Sequence, residues 1–229
     1  MKKLWLAAVF LIPGLYSNAY ALGNSGFEAG DTSGWTETFP SYEGKISVVS
    51  NWSSGGGAFY SPVEGNYFAV VETGVYDGEY TTLSQQFSLG RGDVIEGWAG
   101  FCCGEEIGGD NGDYNDYAII SVLNGYGNIV AVPWYSDSFD IAYGWPAQWE
   151  HWSWTAHADD FYTLHYQTTQ GGDSEGLSYA FFDGPVNEIQ TITSTAVPEP
   201  SSFALIGLGV AGVIASHRLS RFNAEATPA

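Results

Sequence analysis

The chain has 229 residues, with 6 lysines and arginines against 26 aspartates and glutamates, a formal net charge of −20. So few cations cannot displace counterions from a phosphate backbone, which excludes nucleic acid and anionic membrane surfaces as partners. Aromatics at 16% and hydrophobic residues at 45% exclude a disordered acidic tail and suffice for a core.

The first element is a signal. Lys2 and Lys3 precede an apolar stretch from Leu4 to Leu15, broken by Pro13-Gly14. Ala19 and Ala21 then supply the small residues of a cleavage site. This three-part pattern predicts a secretory signal peptide at 1–21, cut after Ala21. The mature chain starts at Leu22 and folds outside the cytoplasm. Between Leu22 and Val197 the only cations are Lys45 and Arg91, against 24 acids, a net of −22. That length suits one domain, placed at 22–194.

Period-two alternation recurs in short pieces: Lys45–Ser50, Tyr67–Glu72, Thr82–Leu89, Val94–Cys102, Tyr117–Leu123 and Asn128–Trp134. His151–Thr155, Tyr162–Gln167, Leu177–Phe182 and Val186–Ile192 continue the series. Clusters rich in Gly, Asn and Asp separate them. Many short strands and no amphipathic helix predict an all-β sandwich or barrel. Asn124-Gly125, between two apolar runs, predicts a hairpin. Arg91-Gly92-Asp93 reads as another hairpin turn.

No catalytic pattern emerges. The four histidines form no ligand spacing with the cysteines, and no Gly-x-Ser-x-Gly elbow is present. In so acidic a chain, a carboxylate pair discriminates nothing. The segment Glu105 to Asp116 lacks EF-hand spacing and reads as a solvated loop. Cys102 and Cys103 are adjacent and would face opposite sides of a strand. They read as two unpaired thiols, one buried; a strained vicinal bridge is the alternative.

Aromatic residues invite a sugar. Trp134, Tyr135, Trp145 and Trp149 are the candidates for stacking on a glycan. Trp152 and Trp154 alternate with His151, Ser153 and Thr155, which places both tryptophans in the core.

The tail closes the chain. Val197-Pro198-Glu199-Pro200 is followed by a continuously apolar or small run from Phe203 to Ala215, then Arg218 and Arg221. Pro198 and Pro200 keep the chain extended and accessible there. This arrangement resembles the PEP-CTERM sorting signal of Gram-negative bacteria. The resemblance implies recognition by an exosortase-type membrane protease and delivery to the cell envelope, cell surface or extracellular biofilm matrix. It divides the end into a sorting and anchor segment, 195–222, and a short tail, 223–229. A single transmembrane helix at about 202–216 would be held by a cytoplasmic stop at Arg218 and Arg221. Two arginines are a thin basic cluster for that family, and the chain runs on to Ala229. A plain C-terminal anchor is the alternative. Such tails also carry an ice-binding C-terminal label, but ice adhesion wants regular Thr arrays, which are missing.

The first mature segment, Asn24 to Trp35 (NSGFEAGDTSGW), looks like the opening of galactose-binding-like jelly rolls, including carbohydrate-binding modules. Gly112–Ala118, Trp152–Ala156, Tyr162–Leu164 and Ser178–Asp183 extend the resemblance over most of the ectodomain. It implies a jelly-roll β-sandwich, a polysaccharide ligand and a structural Ca²⁺ that pins the N-terminal segment to the last strand. The metal positions fall on Glu28 and Asp183, with Asp31 as an extra candidate. Two carboxylates suffice as anchors for a cation that takes six to eight oxygens. The alternative is that Glu28 caps a turn and Asp183 starts one beside Gly184. The expected function is a non-catalytic secreted or surface matrix protein that binds exopolysaccharide. The rivals are a polysaccharide-modifying hydrolase and an ice-adhesion protein.

Overall fold

The structure, a computed structural model, describes residues 22–54, 59–104, 115–141, 148–172 and 176–184. The chain divides into two compact units, Met1–Ile189 and Gln190–Ala229, and every described residue belongs to the first. The signal peptide with Ala19 and Ala21, Trp145, the expected strand 186–192 and the whole of 195–229 lie outside the described residues. Val197, Pro198, Glu199, Pro200, Arg218 and Arg221 are among these.

Twelve strands and no helix occur among the described residues. They are β1 (Thr36–Thr38), β2 (Glu43–Val49), β3 (Trp52–Ser53), β4 (Phe59–Tyr60), β5 (Phe68–Gly74) and β6 (Tyr80–Leu89). β7 (Val94–Cys102), β8 (Tyr117–Asn124), β9 (Ile129–Asp137), β10 (Glu150–Thr155), β11 (Asp160–Thr169) and β12 (Tyr179–Asp183) follow. One five-stranded sheet has the order β1-β6-β11-β8-β9, and a second has β10-β7-β12-β5-β2. From β6 onward the chain passes repeatedly between them, which makes an all-β jelly-roll sandwich. Every strand pairing is antiparallel.

Alternation decides which face is which. On β6, Leu83, Phe87 and Leu89 are buried while Gln86 is exposed. On β11, Tyr162, Leu164 and Tyr166 turn inward, and Thr163, His165 and Gln167 lie on the outer face. Between the sheets runs a column of rings. Phe27 stacks on Trp35 at 5.3 Å, Trp35 on Tyr166 at 5.0 Å, and Tyr166 on Phe182 at 4.3 Å. Each such pair adds about 0.5–1.5 kcal/mol beyond its buried area.

The second sheet is also covered on its outer side. Phe68, Val70, Cys102 and Phe181 pack there under Tyr60 of the β3–β4 hairpin, with Trp52, Trp149 and Tyr179 against them. This explains why β5 is buried on both faces. It also corrects the cysteine expectation. Cys102 and Cys103 do face opposite ways and form no disulfide, but both are buried, because each side of that sheet has its own cluster.

Other local readings change. The 90–93 turn joins β6 of one sheet to β7 of the other, so it is a crossing between layers and not a hairpin. Its Gly92 sits at φ +96. The β8–β9 hairpin is present, but Asn124 is the acceptor that closes it. Its side-chain oxygen takes the amides of Tyr126 and Asn128, and Gly127 supplies the positive φ. Asp116 is fully buried and accepts the Gly171 amide, so it does not belong to a solvated loop.

Candidate functional site

The opening motif folds as a knot of turns. Asn24 donates from its side chain to the carbonyls of Asp31 and Ser33 and accepts the Ala29 amide. The indole of Trp35 donates to the Asn24 carbonyl at 3.1 Å. Phe27, fully buried, and Trp35 thereby enter the ring column, while Glu28 is turned the other way.

Glu28 reaches a loop far along the chain. Its two oxygens accept the amides of Asn66 and Tyr67 at 2.9–3.0 Å, and the Asn66 side chain at 3.2 Å. Asp183, the last residue of β12, grips the same loop from the other side. Its Oδ2 accepts the amides of Val63 at 2.8 Å and Glu64 at 3.1 Å. The approach leaves no spare room. A Cβ on Gly65 would collide with the Glu28 carboxylate, and one on Gly184 with the Ser25 carbonyl. Gly65 also has φ +67, so any other residue there is strained twice over.

Asp183 is wholly buried, and its second oxygen, Oδ1, has no hydrogen-bond partner. Burial pushes its carboxyl up to about 6, and the nearby Glu28 charge adds to this. The amides of Glu64, Val63 and Gly184 pull the other way; Gly184 acts from close by without a bond of normal geometry.

Two of the three proposed metal ligands therefore bind neighbouring amides of one loop. Glu28 and Asp183 bring hard oxygens, repel each other, and leave one buried acceptor unused. That donor set suits a divalent cation whose other ligands are carbonyls. Asp31 does not join them. It is exposed, accepts the Ser33 amide at 2.9 Å, and its carboxyl lies below the usual range because of those Ser33 bonds. No group of three His, Cys, Asp or Glu side chains gathers among the described residues.

The aromatic candidates fare differently. Trp134 is only 7% exposed; its ring is in the core and its indole donates to Glu150 at 2.8 Å. It offers no face to a sugar, which corrects that expectation. Its position on β9 points it inward, opposite Ile120. Trp149 is half-buried, edge-on to Tyr60 and Phe68, and donates to the Ser61 carbonyl. It covers the second sheet instead of projecting from a loop. Tyr135 is 46% exposed, on the outer face of the first sheet beside Tyr117, and its hydroxyl donates to Asp137. Trp152 and Trp154 pack inward as expected.

Two clefts among the described residues lie elsewhere. At the end of the first sheet, the tip of the β8–β9 hairpin and the start of β11 enclose a cleft of about 300 Å³. Gln86, Gly125, Tyr126, Asp160 and Phe161 line it. Tyr126 is 88% exposed and Phe161 43%. A second cleft of about 230 Å³ adjoins it, with Asn124, Trp154, His157, Tyr162 and, again, Asp160 in its walls. Single aromatics spaced far apart in sequence gave no local signal; pairing of the hairpin with β11 brings them together.

The PEP-CTERM protein-sorting motif family matches residues 196–218. No curated protein matches the chain. Among solved structures, TmCBM61 in complex with β-1,4-galactotriose is similar at 18% identity and a TM-score of 0.39, covering 73% of this chain and 96% of that one. A carbohydrate-binding module of the β-sandwich superfamily is similar at 11% and 0.42, covering 73% and 62%. The CBM22-1 xylan-binding domain of Paenibacillus barcinonensis Xyn10C is similar at 14% and 0.33, covering 72% and 88%. The two-sheet architecture is read from the strand pairings themselves.

The clamp has a pH signature. The Asp183 carboxyl titrates higher when folded than when unfolded, so its contribution favours the fold at low pH. That contribution is lost as pH rises through about 6. Holding a carboxyl about two pH units above its ordinary value corresponds to roughly 3 kcal/mol. In chelator, the parent chain should lose more stability between pH 5 and 8 than Asp183→Asn does, by about 1–3 kcal/mol in urea unfolding. Parallel pH profiles of the two chains would contradict this environment for Asp183.

Proposed function

We propose that this chain is an exported, non-catalytic β-sandwich protein that binds polysaccharide at the cell envelope, surface or extracellular matrix. An exosortase-type membrane protease is its sorting partner. The observation that carries this reading is the sorting motif at 196–218, downstream of the sandwich. The clefts support the ligand. Exposed rings of Tyr126 and Phe161 beside the Gln86 amide and the Asp160 carboxylate are a stacking surface with polar anchors, the make-up of a sugar site. The hydrolase alternative needs two carboxylates across a scissile bond, about 5–9.5 Å apart. The two clefts have a single carboxylate between them, Asp160.

Two assays test this reading together. Replacing Pro198-Glu199-Pro200 by alanines should leave export intact and block tail processing; equal release of variant and parent would count against sorting by this motif. The purified full chain should be retained on host exopolysaccharide without shortening it. Phe161→Ala and Tyr126→Ala should each weaken retention roughly tenfold, the cost of about 1–2 kcal/mol for an aromatic anchor. Shortened polymer would favour the hydrolase.

The Glu28–Asp183 pair is proposed to hold a structural Ca²⁺ with neighbouring carbonyls. A cation that binds only the folded state stabilises it by about 2.7 kcal/mol at 100 times its dissociation constant. Chelation should therefore lower the melting temperature by several degrees, and Asp183→Asn should abolish most of that response. Magnesium screens a −22 domain as well as calcium but fits such a cage poorly. Equal rescue by the two ions would eliminate the site.

A further inference from the structure

Asp160 stands where the two clefts meet and lines both. Its Oδ1 accepts the Phe161 amide at 2.8 Å, which fixes the carboxylate and leaves Oδ2 for a ligand. Two exposed rings, Phe161 and Tyr126, stand beside it in the first cleft, and the half-buried Trp154 lines the second over the buried Tyr162. Trp154 is held edge-on against Tyr162 at 5.0 Å, and the Tyr162 hydroxyl is tied to the Ala158 carbonyl at 2.9 Å. Trp154 is therefore set before a ligand arrives.

No lysine or arginine lines either cleft. The adjoining turns add Asp159, which accepts the Arg91 amide, and Asp93, which accepts the Gly90 amide. Arg91 is the one cation on those turns, and His157 is the one imidazole in the walls. A uronic or sulfated sugar would meet only repulsion from the carboxylates. A neutral sugar would stack and donate its hydroxyls to Asp160, but it brings no charge to balance the carboxylate. A protonated amine satisfies both features at once. It pairs with the carboxylate in a charge-assisted hydrogen bond, and it is attracted to the faces of the surrounding rings.

We propose that the cleft at the β8–β9 tip selects a glycan whose sugars carry free, protonated amino groups, held at Asp160 beside Phe161 and Tyr126. This rests on the glycan-binding reading and specifies its ligand. Such a polymer is also drawn to the acidic body of the protein, so long chains would bind nonspecifically. The test therefore uses short oligomers near 0.15 M salt, where the Debye length is about 8 Å.

The full chain is titrated calorimetrically with three tetrasaccharides: β-1,4-glucosamine, its N-acetylated counterpart and a galacturonate. The buffer is mildly acidic, so that the sugar amine is protonated. The glucosamine tetramer should bind at least about tenfold tighter than the other two. Asp160→Asn keeps the acceptor for the Phe161 amide and should erase that preference. Asp140→Asn, an exposed charge at the opposite end of β9, should preserve it. If the acetylated tetramer binds as well as the free amine, or Asp160→Asn leaves the preference intact, this selectivity is overturned while glycan binding stands. If no tetramer or polysaccharide binds, both fall.

Discussion

Four backbone amides of one loop, from Val63, Glu64, Asn66 and Tyr67, point at two carboxylates from opposite ends of the domain. Glu28 comes from the first turns and Asp183 from the end of the last strand. That junction closes the sandwich. It ties the loop behind β4 to the first turns and to β12, beside the Phe27–Trp35–Tyr166–Phe182 stack. Without it that loop would lose its side-chain ties to both.

The scarcity of cations explains why amides do this. With Lys45 and Arg91 alone against 24 acids in the domain, carboxylates cannot be neutralised by ion pairs. His151 lies 3.3 Å from the Glu96 carboxylate, an imidazole contact in place of a lysine or arginine pair. The acids turn instead to backbone N–H groups. Asp137 takes the amides of Phe139 and Asp140, Asp116 that of Gly171, Asp77 that of Gly172, and Asp159 that of Arg91. Amides spread partial charge over a carboxylate without cancelling it. A fully buried acid such as Asp183 is then left with one oxygen unpartnered, and burial raises its titration point. The same logic operates at Asp160, where the ligand, and not the protein, would bring the positive charge.

Much of this was legible in the residues. The alternation of β6, β7, β8 and β11 survives in the structure nearly unchanged, because one face of each meets the core. β1, β3 and β4 were not, being two or three residues long and too short to show a period. Glu28 and Asp183 were found through the likeness of their flanking segments to a known type of opening and closing strand. Trp134 and Trp149 depart from the expectation for a physical reason. Crowding of tryptophans along the sequence says nothing about which face of a sheet they occupy. Trp134 turned inward by strand parity, and Trp149 was captured by a cover on the second sheet that only the β3–β4 hairpin creates. Tyr126 and Phe161 meet because β8 pairs with β11.

The central claim is that both ends of the domain are locked to one loop through these amides. Hydrogen exchange of the full chain, read residue by residue, measures that lock. The account predicts that the amides of Val63, Glu64, Asn66 and Tyr67 exchange as slowly as those in the centres of β5 and β12. Exchange at the rate of an exposed loop, such as the tip at Gly125 to Gly127, would contradict it.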